Sequence, residues 1–441
     1  MLRELPECSY KREPMLVYPS KPTPKHTLYL SNIDNQKFLQ FFIKIIFVYK
    51  VSIPIDDLKS SLSRVLLHYY PFAGRMRKCK QNIGKFEVDC NGEGVVLAEA
   101  FMNISMDEFL ESYRTPPHLS WSKNLLIYSS EEEAVNFLGI PPLVIQVTYL
   151  SCGGMIICTM VNHLMCDGFG LQQFLQAWAH LHTKPDADLP IQPYHSREIL
   201  NPTNPLQITS HHPEFIKKNP DSKFDIHGYL QSQPLVPCSV TFTCTQIQHL
   251  QKKLSLKCTK FETLASHVWC CWVKALRNSF PLPCLHLIKL LFSIMVREKI
   301  KPKLPEGYYG NGFVLGSVET TVEELVNEKT NLHHGVALIQ ECKIRLTNEH
   351  LRSMIDLLEV NIGIQHDLSS TLVITEWVSI GRKLKDFGQG TEVHMGPLVS
   401  KTSCVFGPLL SAGDGNIEGM NVIISMPEKV VEKFKFYLMN K

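Results

Sequence analysis

A histidine and an aspartate separated by three residues occur twice in the chain, and either pair could supply acid–base chemistry. His163 and Asp167 lie in VNHLMCDGFG, residues 161–170, and His182 and Asp186 lie in HTKPD. An imidazole, with an ordinary pKa near 6.5, exchanges protons readily at neutral pH. The spacing alone does not show which pair is functional. The predicted strands and helices around each pair are therefore compared.

The two pairs are predicted to lie in different surroundings. A strongly apolar segment that predicts a strand leads directly into His163, and LQQFLQAWAHLH, with apolar residues at helical spacing, follows the pair. Gly168 and Gly170 would let the backbone turn sharply between strand and helix. His182 instead ends that helix, because a proline follows closely. We therefore expect the second pair to be a surface coincidence.

Two interpretations of the first pair remain open from the residues alone. In one, His163 takes a proton as a general base projected from a rigid strand, while Asp167 fixes the loop or orients the ring. In the other, His163 is a hydrogen-bonded residue at the end of a strand, and Asp167 is a helix N-cap.

Strand-like and helix-like segments alternate through the chain. LQFFIKIIFVY predicts a strand, PLVIQVTYLSCGGMIICTMVNH a hairpin with its turn at 152–154, and TKFETLASHVWCCWVKAL a helix. The polar, proline-bearing residues 183–225 resemble a crossover between an N-terminal domain, 1–182, and a C-terminal domain, 226–441. The pattern predicts an α/β architecture in two halves, with a cleft between them.

Composition excludes several classes of function. The 441 residues are 44% apolar and 20% charged, as in ordinary globular proteins, and a net charge of +3 without a basic run argues against nucleic acid binding. No apolar stretch is long enough for a membrane span, and the N-terminus lacks the apolar core of an export signal. The fourteen cysteines include no CxxC spacing. We expect a cytoplasmic, metal-free protein with reduced cysteines.

Other catalytic signatures are absent from the sequence. It has no GxSxG nucleophile elbow, phosphate-binding GxxxxGK[ST], HExxH zinc motif, or GxGxxG opening a helix. A base without a nucleophile of its own indicates direct transfer, in which the histidine activates a hydroxyl or amine of a substrate.

Two motifs resemble those of a known family. HLMCDG is similar to the HxxxDG motif of the BAHD superfamily, the plant acyl-CoA-dependent acyltransferases, and DFGQG, residues 386–390, is similar to its DFGWG motif. The resemblance runs nearly end to end and includes KPTP, LSNID, HYYPFAGR, REILNPTNP, LPEGYYGNGFVLG and MPEKVVEKFK.

This resemblance implies a two-domain fold like that of chloramphenicol acetyltransferase, with a solvent channel between the domains. Acyl-CoA would enter from one face as a co-substrate and the acceptor from the other, with no permanently bound cofactor. His163 would be the general base, and Asp167 would point away from the substrate and hold the loop.

The resemblance also implies roles near the second motif. TEW is similar to the family's TSW segment, so Thr375 and the indole N–H of Trp377 would contact the acceptor or the developing oxyanion. Core packing is the alternative for Trp377.

The second motif is expected to be structural. Asp386 would pair with Arg297, while Gly388 and Gly390 would shape the loop. Gln389 replaces the family's usual tryptophan, and MVR at 295–297 replaces a segment that commonly reads DGR. We expect these two changes to alter the packing of the loop or to lower the activity.

The leading hypothesis is an O-acyltransferase that acts as a monomer and moves a hydroxycinnamoyl, benzoyl or acetyl group from acyl-CoA to an alcohol. Transfer to an amine is the enzymatic alternative. A third hypothesis also comes from the resemblance. Some proteins similar to this family have an eroded second motif and act as non-catalytic partners of fatty-acid elongation in wax synthesis, and Gln389 points toward that role.

Overall fold

The structure is a computed structural model that describes residues 5–114, 124–127, 138–215, 225–254, 256–327, 331–378, 380, 386–398, 401–410 and 416–440. Helices and strands alternate through both halves of the chain, as the sequence pattern predicts. The elements up to the crossover are β1 (Met15–Val17), β2 (Thr27–Tyr29), β3 (Phe42–Tyr49), α1 (Ile55–His68), β4 (Arg75–Lys78), β5 (Phe86–Asp89), β6 (Val95–Met102), α2 (Met106–Arg114), β7 (Leu143–Leu150), β8 (Met155–Asn162) and α3 (Gly168–Thr183).

The elements after the crossover form the second half of the molecule. They are α4 (Ile226–Gln231), β9 (Leu235–Thr243), α5 (Cys244–Lys252), α6 (Lys260–Arg277), β10 (Leu287–Met295), β11 (Phe313–Thr321), α7 (Val322–Val326), α8 (Asn331–Arg345), α9 (Asn348–Val360), β12 (Thr371–Glu376), β13 (His394–Pro397), β14 (Cys404–Leu410), β15 (Ile417–Pro427) and α10 (Glu428–Met439).

Two six-stranded sheets organise the part of the chain that is described. The first has the order β1-β6-β7-β8-β3-β13 and the second the order β11-β10-β12-β14-β15-β9, while β2, β5 and β4 form a small third sheet. Each large sheet faces its own hydrophobic core. The α/β fold predicted from the sequence is therefore confirmed.

One strand crosses between the halves. β13 comes from the second half, yet it pairs antiparallel with β3 of the first sheet, with Met395 opposite Phe47. This exchange covers one side of β3, whose backbone would otherwise form an exposed sheet edge. The division at 183–225 is retained as a proposal, with residues 394–397 belonging to the first sheet.

The predicted hairpin is formed by β7 and β8. All eight residues of β8 are buried. The strand lies inside the first sheet, between β7 and β3, and its apolar side chains pack in the hydrophobic core. Gly153 has a φ of +86° in the connecting turn, a conformation that side chains disfavour. The predicted strand over LQFFIKIIFVY and helix over TKFETLASHVWCCWVKAL are likewise present, as β3 and α6.

Two further observations bear on the expectations from composition. All fourteen cysteines are free. Among the helices in the ranges given above, none combines the length and apolarity needed to cross a bilayer.

Candidate active site

The buried strand β8 delivers His163 to the interface between the two halves. His163 follows the strand directly, and its backbone N–H donates to the carbonyl of Phe41 at 2.9 Å. The ring lies between Phe41 and Phe313, with centroid separations of 5.1 and 5.7 Å. Phe313 begins β11 of the second sheet, so the imidazole lies where the two halves meet. The side chain is half-buried.

Asn311 orients the His163 ring. Its Nδ2 donates to Oδ1 of Asp34 at 2.9 Å and to the carbonyl of His163 at 2.8 Å. Both N–H groups of the amide are thereby used, so its Oδ1, 3.1 Å from His163 Nδ1, is the acceptor. Nδ1 therefore carries the ring proton, and Nε2 keeps the lone pair that a general base needs.

The electrostatic surroundings keep His163 neutral. Burial lowers the pKa of His163 below 6.5, because it disfavours the charged imidazolium. Asp167 and the hydrogen bond to Asn311 raise it in part without reversing the direction. At neutral pH the ring is therefore in the form that accepts a proton.

Asp167 is occupied by four hydrogen bonds and has no free oxygen for the His163 ring. It caps α3 by accepting the N–H of Gly170 at 2.8 Å, and it accepts the N–H of Gly312 at 2.9 Å. Arg297 Nη2 lies 2.9 and 2.8 Å from its two oxygens. The N-cap interpretation and the expectation that Asp167 holds the loop agree with this geometry, whereas orientation of the ring by Asp167 does not.

The expected pairing of Arg297 with Asp386 is wrong. Arg297 follows β10 and lies beside Gly312, in reach of the N-terminus of α3, where it binds Asp167 and the carbonyls of Tyr308 and Gly310. Asp386 is exposed and accepts the N–H groups of its own loop. Arg297 reaches Asp167 because the end of β10 pairs with the start of β11, and Gly312, just before β11, also donates to Asp167.

Asp386 and the two glycines shape the second motif locally. Asp386 Oδ1 accepts the N–H of Gly388 at 2.7 Å and that of Gly390 at 3.1 Å. Both glycines have positive φ, +87° and +100°, where any side chain would be strained. Gln389 is exposed. A Cβ on Gly388 would lie 3.2 Å from Thr183, at the end of α3, whereas Asp167 caps the start of that helix. The replaced tryptophan position therefore lies at the other end of α3 from the Arg297–Asp167 pair.

The buried residue of the second motif is Phe387. It is 2% exposed and packs edge-on against Trp178 at 5.1 Å and Tyr49 at 5.9 Å. His182 contacts the same ring at 5.8 Å, and its Nδ1 lies 3.3 Å from Ser61 Oγ. The expectation of a surface coincidence is wrong for His182, which is half-buried against the first half's helices. Asp186 is exposed, as expected for a residue at the surface.

Gly168 and Gly170 are needed for close packing. Neither has positive φ among the described backbone. A Cβ on Gly170 would lie 1.9 Å from the carbonyl oxygen of Tyr309, and one on Gly168 would lie 2.2 Å from Cδ1 of Ile380. The start of α3 therefore packs closely against the second half. The expectation that these glycines permit a sharp backbone turn is wrong, because they are needed for lack of space instead.

Arg197 is a buried cation that contacts Asp34, the carboxylate bonded to Asn311. It was not predicted from the sequence as a site residue. Its Nε lies 3.6 Å from Asp34, and its Nη2 donates to the carbonyl of Met165 at 3.2 Å. The guanidinium lies 4.9 and 4.7 Å from the ring centroids of Tyr308 and Tyr309. Arg197 and Asp34 belong to REILNPTNP and LSNID, two of the segments quoted for the family resemblance.

Thr375 and Trp377 lie at the end of β12 in the second sheet. Thr375 is half-buried opposite Val405, and the Trp377 backbone N–H donates to Phe406 at 2.8 Å. The Trp377 side chain packs against the core of the first half. This contact agrees with the packing alternative for Trp377. The roles of both residues toward a substrate stay predictions.

Comparison with known proteins identifies the family. Residues 11–438 match the model of the Transferase family. The chain belongs to this family, the BAHD acyltransferases. It is accordingly an acyl-CoA-dependent O-acyltransferase.

Relatives of this acyltransferase match over nearly their whole length. The chain is 33% identical to omega-hydroxypalmitate O-feruloyl transferase of Arabidopsis thaliana, covering 97% of this chain and 92% of the relative. It is 32% identical to benzyl alcohol O-benzoyltransferase of Petunia hybrida, with 96% and 91% covered.

Solved structures agree on the fold of this BAHD protein. Vinorine synthase superposes with a TM-score of 0.71 at 19% identity, covering 97% of this chain and 96% of that one. F. sporotrichioides TRI101, complexed with coenzyme A and T-2, gives 0.70 at 16% identity, with 93% and 97% covered. The chloramphenicol acetyltransferase-like fold expected from the motifs is confirmed.

Proposed function

We propose that His163 is the general base of a direct acyl transfer from acyl-CoA to an alcohol. Its Nε2 removes the proton of the acceptor hydroxyl, and the oxygen attacks the thioester carbonyl. The tetrahedral intermediate collapses, the C–S bond breaks, and the imidazolium returns its proton to the leaving thiolate. The products are an ester and free coenzyme A.

The observation that carries this proposal is the chain of contacts from Asp34 through Asn311 to His163. It holds Nδ1 as a donor and leaves Nε2 as an acceptor, while burial keeps the ring neutral. A neutral imidazole with an unprotonated Nε2 is the form that a general base requires. Asp167 contributes by holding the loop and stays off the reacting atoms.

For substrates, we propose an aromatic acyl donor and a long-chain or benzylic primary alcohol. Support comes from the names of relatives at 32–33% identity, which specify feruloyl, caffeoyl and benzoyl donors with ω-hydroxypalmitate, fatty alcohol and benzyl alcohol. We also propose that Thr375 and Trp377 line the part of the channel that binds the acceptor alcohol. We propose that the enzyme works in the cytoplasm, a compartment that keeps cysteines reduced. We also propose that it is a monomer.

The test is an assay of free thiol released from feruloyl-, benzoyl- and acetyl-CoA, with hexadecanol, benzyl alcohol or a primary amine as acceptor. Acceptor-dependent release with an alcohol supports the proposal, and the ester is identified by mass spectrometry. His163→Ala should lower kcat by about 10²- to 10⁴-fold. His182→Ala, at the same spacing from an aspartate, is the matched control. An unchanged rate in His163→Ala would refute the role of the imidazole.

A further inference from the structure

A second cluster of histidine and carboxylate side chains lies outside the acyl-transfer site. His212 precedes a short 3₁₀ turn, Pro213–Phe215, in the crossover segment, and Glu214 lies within that turn. His350 lies in the first turn of α9. One ligand atom from each of the three side chains lies within 4.8 Å of the other two. The cluster joins segments that are far apart in sequence.

The donor set suits a zinc ion. Two imidazoles and one carboxylate are a ligand combination that Zn²⁺ takes with a water in the fourth position. His212 Nδ1 and Glu214 Oε1 are already 3.2 Å apart, close to the ~3.3 Å between ligands around a tetrahedral zinc. His350 would have to approach further, since the three ligand atoms lie within 4.8 Å of one another.

The charge of Glu214 calls for a cation. Its side chain is 5% exposed, and its carboxylate lies 3.2 Å from His212 Nδ1. No lysine or arginine pairs with it among the residues described. A buried carboxylate is costly unless it is paired or coordinates a metal. A divalent ion at this point would supply the missing positive charge.

Ligand orientation and solvent access are both provided. Ser353 Oγ accepts the N–H groups of Thr209 and Ser210 at 3.0 Å, so its hydroxyl donates to His212 Nε2, 2.9 Å away. This contact holds the ring with Nδ1 toward Glu214. Glu214 and His350 also line a cavity of about 390 Å³ with Ser210, Pro213, Ser317 and Arg345. This cavity has room for a water ligand.

We propose that His212, Glu214 and His350 bind one Zn²⁺, with water from the cavity as the fourth ligand, and that the ion fastens the crossover segment to α9. In the metal-bound form, zinc takes the place of the proton on His212 Nδ1, the ring proton moves to Nε2, and the Ser353 hydroxyl hydrogen turns away from Nε2. The metal-free alternative is a hydrogen-bond chain in which Ser353 donates to His212 and His212 donates to Glu214. The two arrangements differ in whether zinc binds with defined stoichiometry.

The test is a calorimetric titration of the full-length, chelator-treated protein with zinc chloride. We expect one saturable site that is weakened at least tenfold in both Glu214→Gln and His350→Ala. Glu214→Gln retains a hydrogen-bond acceptor for His212, and thermal melting checks that each variant is folded. His249→Ala, an exposed helix histidine, should bind as the parent does.

Cobalt provides an independent readout. Co²⁺ in this site should show the visible absorption of a tetrahedral ion, and Zn²⁺ should displace it. Absence of saturable binding, or equal binding by Glu214→Gln and the parent, would establish the metal-free hydrogen-bond chain. Neither measurement uses an acyl substrate, so the result does not depend on the proposed acyl transfer.

Discussion

Arg297 Nη2 bridges both carboxylate oxygens of Asp167, at 2.9 and 2.8 Å, and so joins the second half of the molecule to the loop that carries His163. The two side chains are 13% and 5% exposed. Removing one partner of such a pair leaves the other charge buried without compensation.

This ion pair gives the first prediction. Arg297→Ala and Asp167→Ala should each lower the free energy of unfolding by about 3–5 kcal/mol, because each leaves a buried charge or unpaired cap. A double-mutant cycle read by urea unfolding should show coupling between Arg297 and Asp167. The parallel cycle between Arg297 and Asp386 should show none. Coupling to Asp386 instead would restore the pairing expected from the family motif.

Local patterns predicted the elements better than the contacts between them. The hairpin of β7 and β8 was predicted from two apolar runs on either side of two glycines. The start of α3 was predicted from an aspartate that precedes a glycine-bearing helical segment. Both signals lie within about 20 residues. The position of His163 at a strand end was therefore predictable from the sequence.

The partners of the active-site residues were not predictable in the same way. Asn311 and Arg297 reach His163 and Asp167 from the other half of the chain, and no periodicity reports which distant side chains meet. The resemblance assigned Arg297 to the wrong carboxylate because a motif names residues and not their contacts. The proximity of His212 and His350 was likewise not predictable, because the two residues lie far apart in the chain and match no metal-binding spacing.

Asn311 gives a second prediction, as a positioning residue. Asn311→Ala should lower kcat by about 10- to 100-fold with little change in KM, because the His163 ring loses its fixed tautomer. In the parent, the hydrogen bond from His163 to Asn311 raises the pKa of His163. Its loss should lower that pKa, so the acid limb of the kcat–pH profile should move to lower pH. A merely structural role would lower kcat without moving that limb. Asn278→Ala, at an exposed helix end, is the control.

Acid sensitivity gives a third prediction. Burial lowers the pKa of His195, His366 and His394 to about 4, and that of His163 below 6.5. Between pH 6.5 and 4 the unfolded chain therefore binds more protons than the folded one, and stability falls as the pH falls. Unfolding free energies at pH 7.5, 6 and 5 should decrease in that order.

His394 allows this to be tested at one residue. It packs against Tyr113 at 4.4 Å, and its Nε2 is buried without a hydrogen-bond partner in the described part of the chain. His394→Leu removes the titrating group, so the loss of stability between pH 7.5 and 5 should be smaller than in the parent. His249→Leu, on an exposed surface, should leave the loss unchanged. An equal loss in His394→Leu and the parent would exclude His394 as a source of the acid sensitivity.

The contact of Gly170 with Tyr309 gives the fourth prediction. Alanine in a helix is ordinarily more stable than glycine by about 0.5–1 kcal/mol, yet a Cβ at this position would lie 1.9 Å from a backbone oxygen. The backbone cannot rotate away as a side chain could, so the steric cost, about 1–3 kcal/mol, exceeds the gain in propensity. Gly170→Ala should therefore lower the melting temperature and displace the loop between His163 and α3, reducing kcat. Gly407→Ala, where the nearest atom is a side-chain carbon at 3.7 Å, should change neither quantity. A melting temperature for Gly170→Ala equal to or above that of the parent would mean that the start of α3 is not held against the second half.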